Sequence, residues 1–250
     1  MKMKKTMLPV LVIVAGLSAL LFATGARSLE QAPAGGTVSG FVGFTGAFPE
    51  RERIRINRDQ AVCGAAQYSE DFVVSEDTKG LKNVIVSIAG IDKGKRAPSG
   101  AVASINQKKC QYVPHVQAAL AGTTLEIFNE DGILHNVHAY TTGPTGEIEE
   151  KKTFFNKAHP KFLEKLTQRL RRPGIYYFQC DVHSHMSAYI AVFDHAYYAM
   201  TDENGRYTIE NVPVGSYKVQ VWHEGLGAIE KDVTVVAGET AEVNLEIAPN

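Results

Sequence analysis

The sequence predicts an all-β protein built from two β-sandwiches. The first ground is a recurring pattern of short alternating apolar and polar runs, rich in β-branched and aromatic residues. The second is what separates them: Gly, Pro, Asn and Asp turn signals such as Pro173-Gly174 and Asn204-Gly205. The third is composition, 44% hydrophobic and 21% charged, which is that of an ordinary globular chain with enough apolar residues for one or two small cores.

The first 26 residues stand apart from this pattern. Lys2, Lys4 and Lys5 precede an uncharged run from Met7 to Ala23, and the small residues Thr24, Gly25 and Ala26 follow. That is the order of a secretory signal peptide, which places the mature chain in the periplasm or outside the cell. The run is also long enough for an uncleaved anchor, and membrane attachment is expected only in that case. Loss of these three lysines takes the formal charge from −1 to −4, which argues against a nucleic-acid partner. Arg51, Arg53, Arg55 and Arg58, and Lys161, Lys165, Arg169, Arg171 and Arg172, read as solvated strand faces, with docking of an acidic redox partner as the alternative.

Residues 27–36 are a linker without periodicity. Residues 37–44 alternate, Gly46 and Pro49 close that strand, and residues 51–57 alternate again. Residues 59–78 form a mixed loop around Cys63, with room for one short strand, and residues 81–88 are a strand of branched side chains. After a turn over 90–100 comes 110–120, where Pro114 marks an edge strand or a bulge. Gly122 opens a strand through Leu125 and Ile127, a polar corner spans 129–132, and His135 begins the next strand. Residues 141–152 are a surface excursion. In 162–170, Leu163, Leu166 and Leu170 fall near helical intervals, but a strand is favoured for the second half, because a sandwich needs a partner for the strand at 175–178. Residues 188–193 close this sheet, and alternating strands follow at 201–209, with a hairpin turn at Asn204-Gly205, and at 212–222, 232–236 and 241–247.

The chemistry gathers in residues 174–186, Gly-Ile-Tyr-Tyr-Phe-Gln-Cys-Asp-Val-His-Ser-His-Met. An aromatic strand delivers Cys180, His183 and Met186 from one short loop. A thiolate, an imidazole and a thioether form a soft set that suits copper or zinc rather than magnesium or calcium. The methionine discriminates further, because two histidines and a cysteine with a weak axial Met make an electron-transferring copper site, whereas zinc rarely recruits a thioether. One more histidine is then needed, and His135 in the string His-Asn-Val-His offers it.

Together these stretches resemble the cupredoxins, the blue-copper family in its amicyanin- and plastocyanin-like form, with His135 six residues after Asn129 and then Cys-x-x-His-x-x-Met. Over residues 101–197 the resemblance implies a Greek-key β-sandwich with one type-1 copper ion on His135, Cys180, His183 and Met186. It implies that Asn129 ties the two ligand-bearing loops together and that His183 turns its imidazole edge to solvent and to a partner. The chain departs from the family where Ser184-His185 replaces a Pro-aromatic pair, which leaves His185 as an alternative fourth ligand. The implied function is a carrier of single electrons between a redox donor and an acceptor, not an enzyme. Copper storage or delivery, and a structural or adhesive cell-surface role with an idle site, are the alternatives. Of the other histidines, His115, His159, His195 and His223 read as non-ligands, and a second copper or zinc site would draw on His115, His138 or His185. With Cys180 given to copper, Cys63 and Cys110 remain as an even pair in an exported chain, either disulfide-bonded or two buried thiols.

Residues 198–250 resemble the carboxypeptidase-regulatory-like domain, a small transthyretin-like sandwich, through Asp-x-Asn-Gly-x-Tyr at 202–207 and Val-Pro-x-Gly-x-Tyr at 212–217. Its first strands are missing from that stretch, while residues 36–42 and 81–88 resemble them. The N-terminal β segment 37–100 is therefore read as the other part of a domain split around the cupredoxin, the alternative being an extension of the cupredoxin sheet.

Overall fold

The computed structural model describes residues 35–47, 50–91, 97–143 and 146–248. The signal segment, almost all of the linker, Pro49 and Pro144 lie outside the described residues. Strand β1 (Gly36–Phe44) is followed by β2 (Arg53–Arg55), a single helical turn α1 (Gln60–Cys63) and β3 (Ala66–Tyr68), which pairs antiparallel with β2. The branched run gives β4 (Ile85–Ala89), buried at four of its five residues. Next come β5 (Val102–Lys108), β6 (Gln111–Val113), β7 (Val116–Leu120), β8 (Thr124–Asn129) and β9 (His135–Thr141). Strands β10 (Lys152–His159), β11 (Lys165–Arg169), β12 (Gly174–Gln179) and β13 (Ser187–Phe193) complete the middle of the chain. The last six are β14 (Tyr198–Met200), β15 (Arg206–Val212), β16 (Gly215–His223), β17 (Gly227–Val235), β18 (Thr240–Glu242) and β19 (Leu245–Ile247).

The middle strands form one sandwich, with sheet order β10-β9-β12-β13-β7 facing β11-β8-β5-β6. Ile105, Leu125, Ile127, Val137, Leu170, Phe178 and Ile190 fill its core. The second half of 162–170 is the strand β11, antiparallel to β8, with Leu166 packed on that core. β6 lies at a sheet edge, where the missing N–H of Pro114 costs no ladder bond. Strand β10 is not evident in the sequence, because the neighbours Phe154 and Phe155 break the alternation. An irregularity in the pairing with β9 between Thr153 and Phe155 accommodates them.

The second sandwich joins the two ends of the chain. Strand β1 runs antiparallel to β15 and parallel to β18 and β19, while β4 lies between β14 and β16 in the opposite sheet. Its core gathers Val38, Val42, Leu81, Val86 and Ile88 with Ile209, Val219, Val221, Val233 and Leu245. The segment 37–100 is itself divided, since Ile56 and Cys63 pack into the other core. Asn204-Gly205 is not a two-residue hairpin: β14 and β15 belong to different sheets, and the turn is a corner between them. There the Asp202 carboxylate accepts N–H bonds from Asn204 and Arg206 at 2.8 and 2.9 Å. Gly205 takes φ +79°, and a Cβ on it would stand 2.6 Å from the Gly80 Cα, so glycine is required on both counts. Ile85 and Trp222 of this sandwich pack against Val116, Tyr189 and Ala191 of the first.

Candidate metal centre

Three buried side chains converge where β9 starts and β12 ends. His135 is the first residue of β9, Cys180 follows β12, and the turn after it returns His183. The Cys180 Sγ lies 3.9 Å from His135 Nδ1 and 3.8 Å from His183 Nδ1. A trigonal ion with metal–nitrogen bonds of about 2.0 Å and a metal–sulfur bond of about 2.3 Å needs roughly 3.8 Å between such donor atoms, so the triangle fits a bound metal. Met186 is 1% exposed and closes the loop through its main chain, its N–H bonded to His183 O at 2.9 Å and its carbonyl accepting from Cys180 N–H at 3.3 Å. His135, Cys180, His183 and Met186 thus share one buried cluster that resembles a type-1 copper ligand set.

The ring nitrogens turned away from the sulfur are both held by carboxylates. His135 Nε2 is 2.9 Å from Asp131 Oδ2, and His183 Nε2 is 3.0 Å from Asp59 Oδ2. Each Nε2–H then donates to its carboxylate, which leaves Nδ1 as the nitrogen aimed at the metal position. Burial works against the charged form of His135, but Asp131 and the Cys180 sulfur outweigh it and raise the imidazole to about 9. Burial, helped by the charge of His135, keeps His183 below its ordinary value despite Asp59. The Cys180 thiol, although buried, is held below its ordinary value by His135 and by main-chain N–H groups, among them that of Asn136, 3.4 Å from Sγ. Near neutral pH and without a metal, His135 is therefore a cation against a thiol biased toward thiolate, and a soft metal that displaced the Nδ1 proton would meet one thiolate and two imidazole nitrogens.

Two expectations about the surroundings are corrected. Asn129 does not tie the ligand loops together: its amide donates to the carbonyls of Ile133 and His159, which braces the corner between β8 and β9 against the end of β10. Asn136 does so instead, because its N–H meets the Cys180 sulfur and its side-chain oxygen accepts the Asp181 N–H at 3.0 Å. Nor does His183 face solvent. It is 2% exposed, covered by the segment carrying Asp59, and that segment with Val182, His183, Ser184 and His185 lines a shallow cleft. Cys63 and Cys110 are disulfide-bonded, which fixes this covering segment to the turn between β5 and β6. Asp131 accepts the N–H groups of Lys109 and Cys110 in that same turn, the latter at 2.8 Å. The His185 ring stands 6.0 Å from that of His183, and its buried Nε2 has no partner among the described residues.

Asp59, Asp131 and Asn136 do not stand out in the sequence as site residues. Asn136 directly follows a proposed ligand and Asp131 lies four residues before it in a polar corner, so both carried a local signal. Asp59, 124 residues from His183, carried none.

Residues 186–248 match the carboxypeptidase regulatory-like domain family, so the C-terminal sandwich is of that kind. The match starts inside the ligand loop and does not extend to β1 and β4, which complete the same sandwich from far upstream. No curated protein gives a significant match. Among solved structures, amicyanin from Paracoccus versutus is similar at 22% identity over 43% of this chain and 96% of its own, with a TM-score of 0.30. A purple cupredoxin from Nitrosopumilus maritimus is 18% identical over 36% of this chain and 98% of its own, TM-score 0.30. A copper-containing nitrite reductase from Thermus scotoductus is 22% identical over 42% of this chain and 25% of its own, TM-score 0.30. Likenesses this weak carry no functional weight, and function has to be read from the geometry and chemistry of the site itself.

Proposed function

We propose that the chain is an exported type-1 copper protein that passes single electrons between a donor and an acceptor and catalyses no reaction of its own. The observation that carries this reading is the buried triangle of Cys180 Sγ with two imidazole Nδ1 atoms at 3.8–3.9 Å, each imidazole fixed from behind by a carboxylate. Bound copper would supply a one-electron Cu(II)/Cu(I) couple. Cys180, His135 and His183 would supply the strong donors and Met186 a weak thioether. Held by β9, by the turn after β12 and by Asp59 and Asp131, these donors are fixed before a metal arrives, which would keep their movement between oxidation states small and favour fast exchange. The Cys63–Cys110 disulfide supports an oxidising compartment and hence export to the periplasm or beyond.

With His183 covered, the partner's surface meets the covering segment, where Arg53, Arg55 and Arg58 are exposed. An acidic redox protein suits that face. The test is a Cu(II) titration of residues 27–250 followed by visible and EPR spectroscopy and voltammetry, with Cys180→Ala as control. The expected result is one copper per chain with an intense thiolate-to-copper band and narrow hyperfine splitting, both absent in the variant, and a reversible couple. An ordinary tetragonal spectrum that the variant leaves unchanged would overturn the reading. Tight Cu(I) binding without a reversible couple would point to copper storage or delivery.

A further inference from the structure

A second cluster of donors lies at the seam between the two sandwiches and shares no residue with the His135–Cys180–His183 triangle. His115 sits between β6 and β7, Glu224 directly follows β16, and Asp71 lies in the segment after β3. One ligand atom from each lies within 4.8 Å of the other two. We propose that His115, Glu224 and Asp71 form a second metal site, for a divalent ion of the Zn2+ type.

The orientation of His115 carries the argument. Its Nδ1 is 3.1 Å from the carbonyl oxygen of Ser187, which can only accept, so Nδ1 holds a hydrogen. Its Nε2 then points at Glu224 Oε1, 2.5 Å away. A main-chain carbonyl that fixes the remote N–H and leaves the other nitrogen for a cation is how metal-binding histidines are held. The side chains of His115 and Glu224 are only 4% and 8% exposed. Among the described residues no lysine or arginine forms an ion pair with Glu224 or Asp71. His115 is thus the one basic side chain paired with Glu224 among the described residues, and a metal cation would stabilise the buried carboxylate further.

One nitrogen and two carboxylate oxygens, with no sulfur, suit Zn2+ rather than Cu(I), and three protein ligands leave a fourth position for water. On one ion the His115 and Glu224 donor atoms need to stand about 3.3 Å apart, so binding shifts Glu224 by under about 1 Å and displaces the proton shared in the present contact. A cleft of about 190 Å³ lined by Glu70, Asp71, His115, Tyr177 and His185 gives the ion a way in. An ion here would tie together three segments: the one following β3, the first sandwich and the second.

The test measures Zn2+ binding by chelator competition in residues 27–250 carrying Cys180→Ala, so that copper plays no part in the readout. One Zn2+ per chain is expected. Adding Glu224→Gln is expected to weaken binding at least about 100-fold and adding Asp71→Asn about 10-fold, while adding His183→Ala changes nothing. Asp71→Asn leaves the buried His115–Glu224 pair in place, so it decides the matter if Glu224→Gln fails to fold. Absence of Zn2+ binding, equal affinity with and without Asp71→Asn, or loss of binding on His183→Ala would each overturn the proposal.

Discussion

The two sandwiches fill their interiors differently. The hydrophobic residues of the core that joins the chain ends are aliphatic apart from Phe44 and Tyr207, with Ser87, Thr201 and His223 buried in the same sandwich, and alternating strands suffice to build it. The middle sandwich buries His135, His183 and Cys180 in its core, together with Gln107 and His159. Imidazoles buried among apolar side chains would turn freely or lose hydrogen bonds unless something fixed them. In this chain Asp131 comes from a sheet corner and Asp59 from the excursion between β1 and β4. An apolar core can be made within its own strands, whereas a core that presents donor atoms recruits carboxylates from outside them.

If the two interiors are independent, damage to the apolar one will leave the metal chemistry untouched. Leu81 is wholly buried in the core of the terminal sandwich, and Leu81→Ala is expected to cost about 2–5 kcal/mol in denaturant unfolding. The copper spectrum of the folded protein should not change. A shifted thiolate band in this variant would show that the two cores are coupled, and the comparison would fail.

The converse change is Asp131→Asn. It removes the carboxylate behind His135 and is expected to weaken copper binding by about 10- to 100-fold, which is roughly 1.4–2.7 kcal/mol, read by competition with a chelator. Losing a negative charge beside the site disfavours Cu(II), so the reduction potential should rise. An unchanged affinity and potential would mean that the corner alone positions His135.

Tyr207 gives the apolar core its own polar tie, its hydroxyl donating to the Val243 carbonyl at 2.7 Å. Tyr207→Phe leaves that buried carbonyl short of a partner and should cost about 1 kcal/mol. Burial raises the Tyr207 phenol well above its ordinary value. The unfolded chain therefore releases this proton near pH 10 while the folded chain keeps it, and stability falls as pH rises above about 10. Urea melts at pH 8 and above pH 10 should show that loss in the wild type and less of it in the variant.

The same contrast explains what the sequence made legible. Strands with clean alternation, such as those around Val38, Ile127 and Val219, could be read locally, and so could the Cys-x-x-His-x-x-Met loop. The kinship of residues 36–42 and 81–88 with the C-terminal strands was visible through motif resemblance, although β1 pairs with residues more than 160 positions away. Strand β10 escaped because a pairing irregularity at Thr153–Phe155 removes the period on which such a reading depends. The cover over His183 escaped for a stronger reason: nothing local to Asp59 or His183 encodes their meeting, which the Cys63–Cys110 bridge and the packing of Ile56 bring about.

Asp59 therefore offers the finest test of the comparison, because it does for His183 what Asp131 does for His135 in a different setting. Its side chain is 38% exposed, against 4% for Asp131. Water can replace part of what an exposed carboxylate provides, and solvent screens its charge. Asp59→Asn is accordingly expected to weaken copper binding by less than about 10-fold and to raise the potential less than Asp131→Asn does. An effect equal to that of Asp131→Asn would mean that the cover over His183 shields the site from water more fully than the exposure of Asp59 implies. Burial depth would then not be what separates the two imidazoles, and the rule that carboxylates from outside the core act according to their burial would fail at the residue where it is most directly tested.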